Sequence, residues 1–251
     1  MREEIVEAAK LIASTRPWIA LTGAGISADS GIPTFRGPNG LWRRYRPEDL
    51  ATPEAFQRDP HLVWEWYRWR MEIVFRAKPN PAHTALKRLE DLGVLVCVIT
   101  QNVDGLHQLA GTRCVIELHG SIRRVRCTSC SYRAEVSEPP TEIPPRCPEC
   151  GSLLRPDVVW FGEPIPSEAL SRALELCERA AGIIVVGTSG VVMPAGMLPH
   201  IVKSRGGYVV EINIEPSAIT SIADVFVRGR ASEVLPQIVA LVEEMLRRAY
   251  S

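Results

Sequence analysis

The chain of 251 residues has little asparagine or glutamine, no excess of either charge, no apolar run long enough to cross a bilayer and no internal repeat or low-complexity tail. Lys+Arg and Asp+Glu both total 29, so the overall charge draws it to neither nucleic acid nor an anionic membrane. Partner choice must therefore come from a site. A membrane helix needs about 20 apolar residues in a row, and none is expected here. Residues 1 to 14 mix Arg2, Glu3, Glu4, Glu7 and Lys10 with apolar residues at helical spacing, unlike the uncharged core of a secretion signal. Both points lead to a cytoplasmic protein as the expectation. Few amides beside abundant arginine is the bias of proteins from hot environments.

What is present reads as a globular chain. With 46% hydrophobic and 23% charged residues it can bury one large core, or one core with a smaller lobe. Residues 3 to 14 read as an amphipathic helix. Trp18 to Thr22 reads as a buried strand that runs straight into Gly23-Ala-Gly25, a βα turn able to approach a ligand closely. Residues 31 to 60 are dense in Pro, Gly and Arg and are expected to be one long functional loop. Helices are expected near 61 to 77, 81 to 92, 167 to 180, 195 to 204 and 231 to 248, and strands near 94 to 100, 114 to 118, 183 to 186 and 208 to 212. The alternation predicts an α/β fold, a Rossmann-like parallel sheet with helices on both faces.

The seven cysteines divide unequally. Cys127-Thr-Ser-Cys130 and Cys147-Pro-Glu-Cys150 form two knuckles whose spacing lets four thiolates converge on one zinc, as in a zinc ribbon. Four thiolates fill the coordination sphere and leave no place for an activated water, so this Zn2+ is expected to be structural. Cys97, Cys114 and Cys177 stand alone beside aliphatic residues and are expected in the core. Arg123, Arg124, Arg126 and Arg133 near the ribbon keep a nucleic-acid-binding reading open, against a solvated basic face.

Four expected strand ends carry the remaining chemistry. Gly23, Ala24, Gly25, Ser27 and Ala28 begin a loop, running to Phe35 and Arg36, whose backbone N–H groups could receive a pyrophosphate, although a Gly-Ala-Gly turn also has a purely steric use. Gln101-Asn-Val-Asp104, Gly187-Thr-Ser189 and Asn213-Ile-Glu215 follow three further strands, where open parallel sheets bind ligands. His119 closes another apolar segment beside Gly120, placed to take a proton from a sugar hydroxyl near pH 7.

The joint order of Gly23-Ala-Gly-Ile-Ser, Pro33-Thr-Phe-Arg, Thr100-Gln-Asn-Val-Asp, Leu118-His-Gly-Ser, the two knuckles, Val159-Trp-Phe-Gly-Glu, Gly187-Thr-Ser and Asn213-Ile-Glu closely resembles the sirtuin family along almost the whole chain. The resemblance implies an NAD-dependent protein-lysine deacylase that consumes NAD as co-substrate, releasing nicotinamide and 2′-O-acyl-ADP-ribose. It implies His119 as general base, and Asn102 as the residue that holds the ribose and an ordered water. Val103 and Asp104 would bind the nicotinamide carboxamide, with Phe35 shielding the reactive sugar. Gly23, Ala24, Gly25, Ser27, Ala28, Arg36, Gln101, Gly187, Thr188 and Ser189 would line the diphosphate and adjacent ribose, with Asn213, Glu215 and Ala231 toward the adenosine. Gly190 stands where many relatives carry Ser or Ala.

Val159, Phe161, Gly162 and Glu163 resemble the strand edge that grips the substrate peptide from one side, with Val191 and Val192 on the other. Tyr67 and Arg70, three apart on one helix face, match the Tyr-x-x-Arg pair of the class III branch, which recognises the far carboxylate of succinyl- or malonyl-lysine. The expected organisation is one catalytic unit over residues 1–251. Its large Rossmann-like domain takes 1–35, 80–121 and 155–251, and its small domain joins a helical insert, 36–79, to the zinc ribbon, 122–154. Acyl-lysine proteins or peptides are the expected partners, a DNA-associated protein among them, and nucleic acid itself is not expected as a direct ligand. No oligomeric state is implied. Protein ADP-ribosyl transfer and a zinc-ribbon nucleic-acid-binding protein stay open as alternatives.

Overall fold

A strand buried on both faces belongs inside a layered sheet, and Trp18–Thr22 is buried at all five positions. The structure, a computed structural model, describes residues 2–249 and residue 251. Its strands in chain order are β1 Trp18–Thr22, β2 Leu95–Thr100, β3 Val115–Glu117, β4 Gly120–Cys127, β5 Arg133–Glu135, β6 Leu154–Val158, β7 Gly182–Val186, β8 Tyr208–Asn213 and β9 Val225–Arg228. The helices are α1 Glu3–Ser14, α2 Pro47–Leu50, α3 Pro53–Arg58, α4 Pro60–Arg76, α5 Pro81–Asp91, α6 Leu106–Leu109, α7 Ser167–Arg179, α8 Leu198–Ser204 and α9 Ala231–Ala249.

Six strands form one parallel sheet in the order β3-β2-β1-β7-β8-β9. The chain builds outward from β1 in one direction and returns through β7 to build in the other. That reversal opens a crevice at the carboxyl ends of β1 and β7, where doubly wound sheets take their ligands. Side-chain alternation feeds two cores. Trp18 and Ala20 face α1, α5 and α9, while Ile19 and Leu21 face α7 and α8.

A second, antiparallel sheet has the order β5-β4-β6. With α2, α3 and α4 it closes a third core, in which Trp64, Tyr67 and Met71 pack with Ile122, Cys127, Cys147, Val158 and Trp160. This sheet runs beyond residues 122 to 154 at both ends, because β4 starts at Gly120 and β6 stops at Val158. α4 begins sharply: the Asp59 side chain accepts from the Leu62 N–H at 3.0 Å, and Pro60 occupies the first turn.

Three features depart from the sequence reading. Residues 31 to 60 are not one irregular loop; they hold a 3-10 turn, Leu41–Arg43, together with α2 and α3. Proline at the first turn of each short helix, which made the segment read as broken, is what starts them. The helix expected after Gly25 is a 3-10 stretch, Ala24–Ser30, that ends at Gly31 in the left-handed region (φ 88). Finally, Cys97 and Cys114 are joined in a disulfide, with Cα atoms 4.7 Å apart, while Cys177 lies in the core as expected. Among the described residues, no helix is long and apolar enough to cross a membrane.

Candidate active site

The carboxyl ends of β1, β2, β7 and β8 are laced together by polar groups. Asn102 Nδ2 donates to the Gly23 carbonyl at 2.9 Å, Gln101 Nε2 to Thr188 Oγ1 at 2.9 Å, and Asn213 Nδ2 to the Thr188 carbonyl at 2.9 Å. The turn after β1 presses on the turn after β7. A Cβ on Gly23 would stand 2.7 Å from the Gly187 carbonyl oxygen, and one on Gly25 2.6 Å from the Gly187 Cα. The N–H groups of Gly23 and Gly25 already bond to the carbonyls of Val186 and Gly187, so these glycines serve close approach more than direct donation. Ser189 follows on the same turn, Ala28 is exposed at the far side of the first loop, Glu215 is exposed just past β8, and Ala231 opens α9.

Beneath this rim lies a buried polar network. The Ser27 hydroxyl donates to Asp104 Oδ2 at 2.7 Å and meets His83 Nε2 at 3.3 Å, and Asp104 Oδ1 accepts from the Leu106 N–H at 2.9 Å. Thr22 Oγ1 lies 2.8 Å from both Thr100 Oγ1 and His107 Nε2, and the Asn102 N–H donates to the same Thr100 hydroxyl at 3.0 Å. Burial pushes His83 down to about 4 and His107 to about 3, so both stay neutral at pH 7. The second histidine adds to the shift on His107, while Asp104 opposes it on His83. Sequence reading missed this pair, since isolated histidines inside helical patterns give no sign of meeting, ring centroids 5.1 Å apart.

His119 stands where β3 turns into β4. Its Nδ1 lies 3.1 Å from the Gln101 carbonyl, which can only accept, so the proton sits on Nδ1 and Nε2 keeps its lone pair. Burial lowers the pKa of the ring, outweighing the hydrogen bond that raises it. The outcome is a neutral imidazole with a free basic nitrogen. The His119 carbonyl accepts from the Val159 N–H at 2.8 Å, so the segment after β6 is anchored at this histidine.

Val159, Trp160, Phe161, Gly162 and Glu163 follow β6 as an extended piece and a turn; they are not part of a paired strand. Phe161 is exposed, as is Val191 in the segment after β7. The Glu163 carboxylate is held within the fold: Arg155 grips it with two bonds of 2.7 and 2.9 Å, and the Trp160 N–H donates to it at 2.8 Å.

On α4, Arg70 projects toward Phe35 beside the Tyr67 ring. The Arg70 Cζ stands 4.8 Å from the Phe35 ring centroid and 5.4 Å from that of Tyr67. Burial pushes the guanidinium pKa down, against the pull of Tyr67 and Asp104, and raises that of the Tyr67 phenol. Among the described residues no carboxylate lies within ion-pair distance of Arg70. The arginines of the ribbon differ. Arg124 pairs with Glu117 (2.9 Å) and Asp157 (3.2 Å), Arg126 with Asp157 (3.6 Å), and Arg133 with Asp157 (3.7 Å), while Arg123 donates to the Asp104 and Val74 carbonyls.

The sulfurs of Cys127, Cys130, Cys147 and Cys150 all lie within 4.8 Å of one another, with Cys127 to Cys150 at 3.4 Å and Cys130 to Cys147 at 3.6 Å. Zinc–sulfur bonds of about 2.3 Å at tetrahedral angles place sulfurs roughly 3.8 Å apart. The cluster fits a structural zinc.

Comparison with known proteins agrees with this geometry. The Sir2 family profile matches residues 23–194. A protein of Thermococcus kodakarensis named NAD-dependent protein deacylase is 62% identical over 246 residues, covering 95% of this chain and 96% of that protein. Among solved structures, a Sir2 homolog–NAD complex is 58% identical with a TM-score of 0.92, covering 96% of this chain and 94% of its own. A Sir2 protein bound to a myristoylated histone peptide is 38% identical with a TM-score of 0.83, each chain covered in full (100%).

Proposed function

The chain belongs to the Sir2 family, and from that premise we propose that it is an NAD-dependent protein-lysine deacylase whose pocket accepts acyl groups ending in a carboxylate, succinyl and malonyl, as well as acetyl. NAD supplies the sugar carbon that accepts the acyl oxygen once nicotinamide departs. The laced strand ends would hold the dinucleotide, with Asn102 at its ribose and Val103 and Asp104 at the carboxamide. His119, neutral and with Nε2 free, would take a proton from a ribose hydroxyl. Phe35 would keep water from the reacting carbon. The extended piece from Val159 to Gly162, facing Val191, would hold the peptide by its main chain, a mode that gives affinity with little sequence preference. In this reading the molecule works as two lobes, the parallel-sheet domain and the zinc-bearing lobe, with the substrates meeting between them.

One observation carries the carboxylate preference: Arg70 is a guanidinium without a carboxylate partner, packed against Phe35 beside the Tyr67 phenol. Withdrawing a cation from water is costly unless an anion meets it. A succinyl or malonyl terminus would be that anion, bound through charge-assisted hydrogen bonds that a plain acetyl group lacks. Nicotinamide release measured with acetyl-, malonyl- and succinyl-lysine peptides tests it. Arg70→Met should lower kcat/KM for the two acidic acyl groups roughly tenfold or more, and far more than for acetyl. Equal losses on all three would refute the assignment.

A further inference from the structure

We propose that Trp160 is a positioning residue that aims the Tyr67 hydroxyl, and thereby helps set the preference for an acyl group ending in a carboxylate; this rests on the carboxylate reading of Tyr67 and Arg70. The indole Nε1 of Trp160 lies 2.9 Å from the Tyr67 hydroxyl, and both residues are buried. An indole nitrogen can only donate. The phenol oxygen therefore accepts from it, and the phenol's own proton must point elsewhere. Among the described residues the Tyr67 hydroxyl has no protein group to donate to. Its neighbour Arg70 is likewise donor only. The pocket wall so formed presents O–H and N–H protons and no lone pair in their path, the complement of a carboxylate. Were the indole nitrogen absent, the hydroxyl could rotate its proton toward the protein wall.

The indole can perform this task because it is itself clamped. Arg155 Cζ lies 3.6 Å from the Trp160 ring centroid, and the Phe56 ring lies at 5.3 Å. The Trp160 backbone N–H donates to Glu163 Oε1, the same carboxylate that Arg155 holds in a fork. The next residue, Phe161, donates its N–H to the Ala51 carbonyl at 3.0 Å, tying the segment to the C-terminal end of α2. Thus an ion pair made between residues 155 and 163 fixes a side chain that orients a phenol on a helix 93 positions away in sequence. The path runs from the segment after β6 to the Tyr67 hydroxyl and does not pass through the His119 ring.

The test compares Trp160→Phe, Tyr67→Phe and the double variant on acetyl- and succinyl-lysine peptides with saturating NAD. Trp160→Phe keeps an aromatic ring under Arg155 and deletes the donor, along with part of the indole's volume. It should lower kcat/KM roughly tenfold more for the succinyl peptide than for the acetyl peptide, mainly through KM. The double variant should keep the succinyl-to-acetyl ratio of Tyr67→Phe alone, because Trp160 sets the preference through that hydroxyl. Equal losses on both peptides, or a succinyl-to-acetyl ratio that falls further in the double variant, would overturn the proposal. Should Trp160→Phe perturb folding, site-specific replacement of Trp160 by 3-benzothienylalanine, which exchanges the N–H for sulfur at nearly constant shape, decides it: a succinyl-selective loss supports the proposal and an unchanged succinyl rate ends it. Arg70→Met on the same peptides separates the two levels. If Arg70→Met is selective for succinyl and Trp160→Phe is not, only the Trp160 role falls; if Arg70→Met is unselective, the carboxylate reading falls and takes this proposal with it.

Discussion

At the scale of single residues, the proposed base is defined by what its other nitrogen does. Because Nδ1–H of His119 is tied to the Gln101 carbonyl, the tautomer is set before any substrate arrives. Burial lowers the pKa below the ordinary 6.5, so the neutral form is dominant at that pH and is lost only as pH falls through the lowered value. The acid limb of kcat/KM should therefore lie below pH 6.5. His119→Ala should cut acyl transfer by about 10²–10⁴-fold and abolish that limb; a limb that survives in the variant would assign it to another group. The candidacy of His119 was legible in the sequence because an apolar segment ends on it beside Gly120. Trp160 and Arg155 were not, although they stand inside and just before a motif that was recognised. Their contacts depend on how β6 meets α4 and α3, and spacing along the chain carries no record of that.

At the scale of elements, the parallel sheet was legible because its strands are short apolar runs punctuated by Gly, Asn and Asp, and the amphipathic helices between them keep the 3.6-residue period. β9 was passed over, since Val225–Arg228 is brief and ends in a charged residue. The bond between Cys97 and Cys114 was also unforeseen. Both cysteines sit among aliphatic residues, and only the parallel pairing of β2 with β3 brings them together. This disulfide ties the two strands that lead to Asn102 and His119. Closing a loop of sequence separation 17 removes chain entropy worth about 3 kcal/mol, which for a chain of this size corresponds to roughly 6–12 °C in Tm. Thermal melts with and without a reductant, with the thiols counted by mass, should show that drop, and Cys97→Ala should reproduce it. A melt indifferent to verified reduction would mean that hydrogen bonding between β2 and β3 already fixes both strands.

At the scale of the whole molecule, the two cores that flank the parallel sheet do not depend on metal, whereas the third core counts Cys127 and Cys147 among its own buried residues, beside Tyr67 and Trp160. A zinc held by four thiolates has no open position for catalysis, so its influence on activity has to pass through that core. Tryptophan reports on this selectively. Trp18 lies under the parallel sheet, whereas Trp42, Trp64, Trp66 and Trp160 belong to the third core and Trp69 lies on α4 beside them. Chelation should remove one zinc per chain and abolish deacylation, with a parallel loss of near-ultraviolet circular dichroism, while far-ultraviolet signal from the flanking helices largely persists. Loss of activity with the tryptophan signal intact would instead point to a metal engaged in the reaction. Returning zinc should restore both signals together, because the acyl pocket proposed around Tyr67 and Arg70 can exist only while the lobe that carries it is folded.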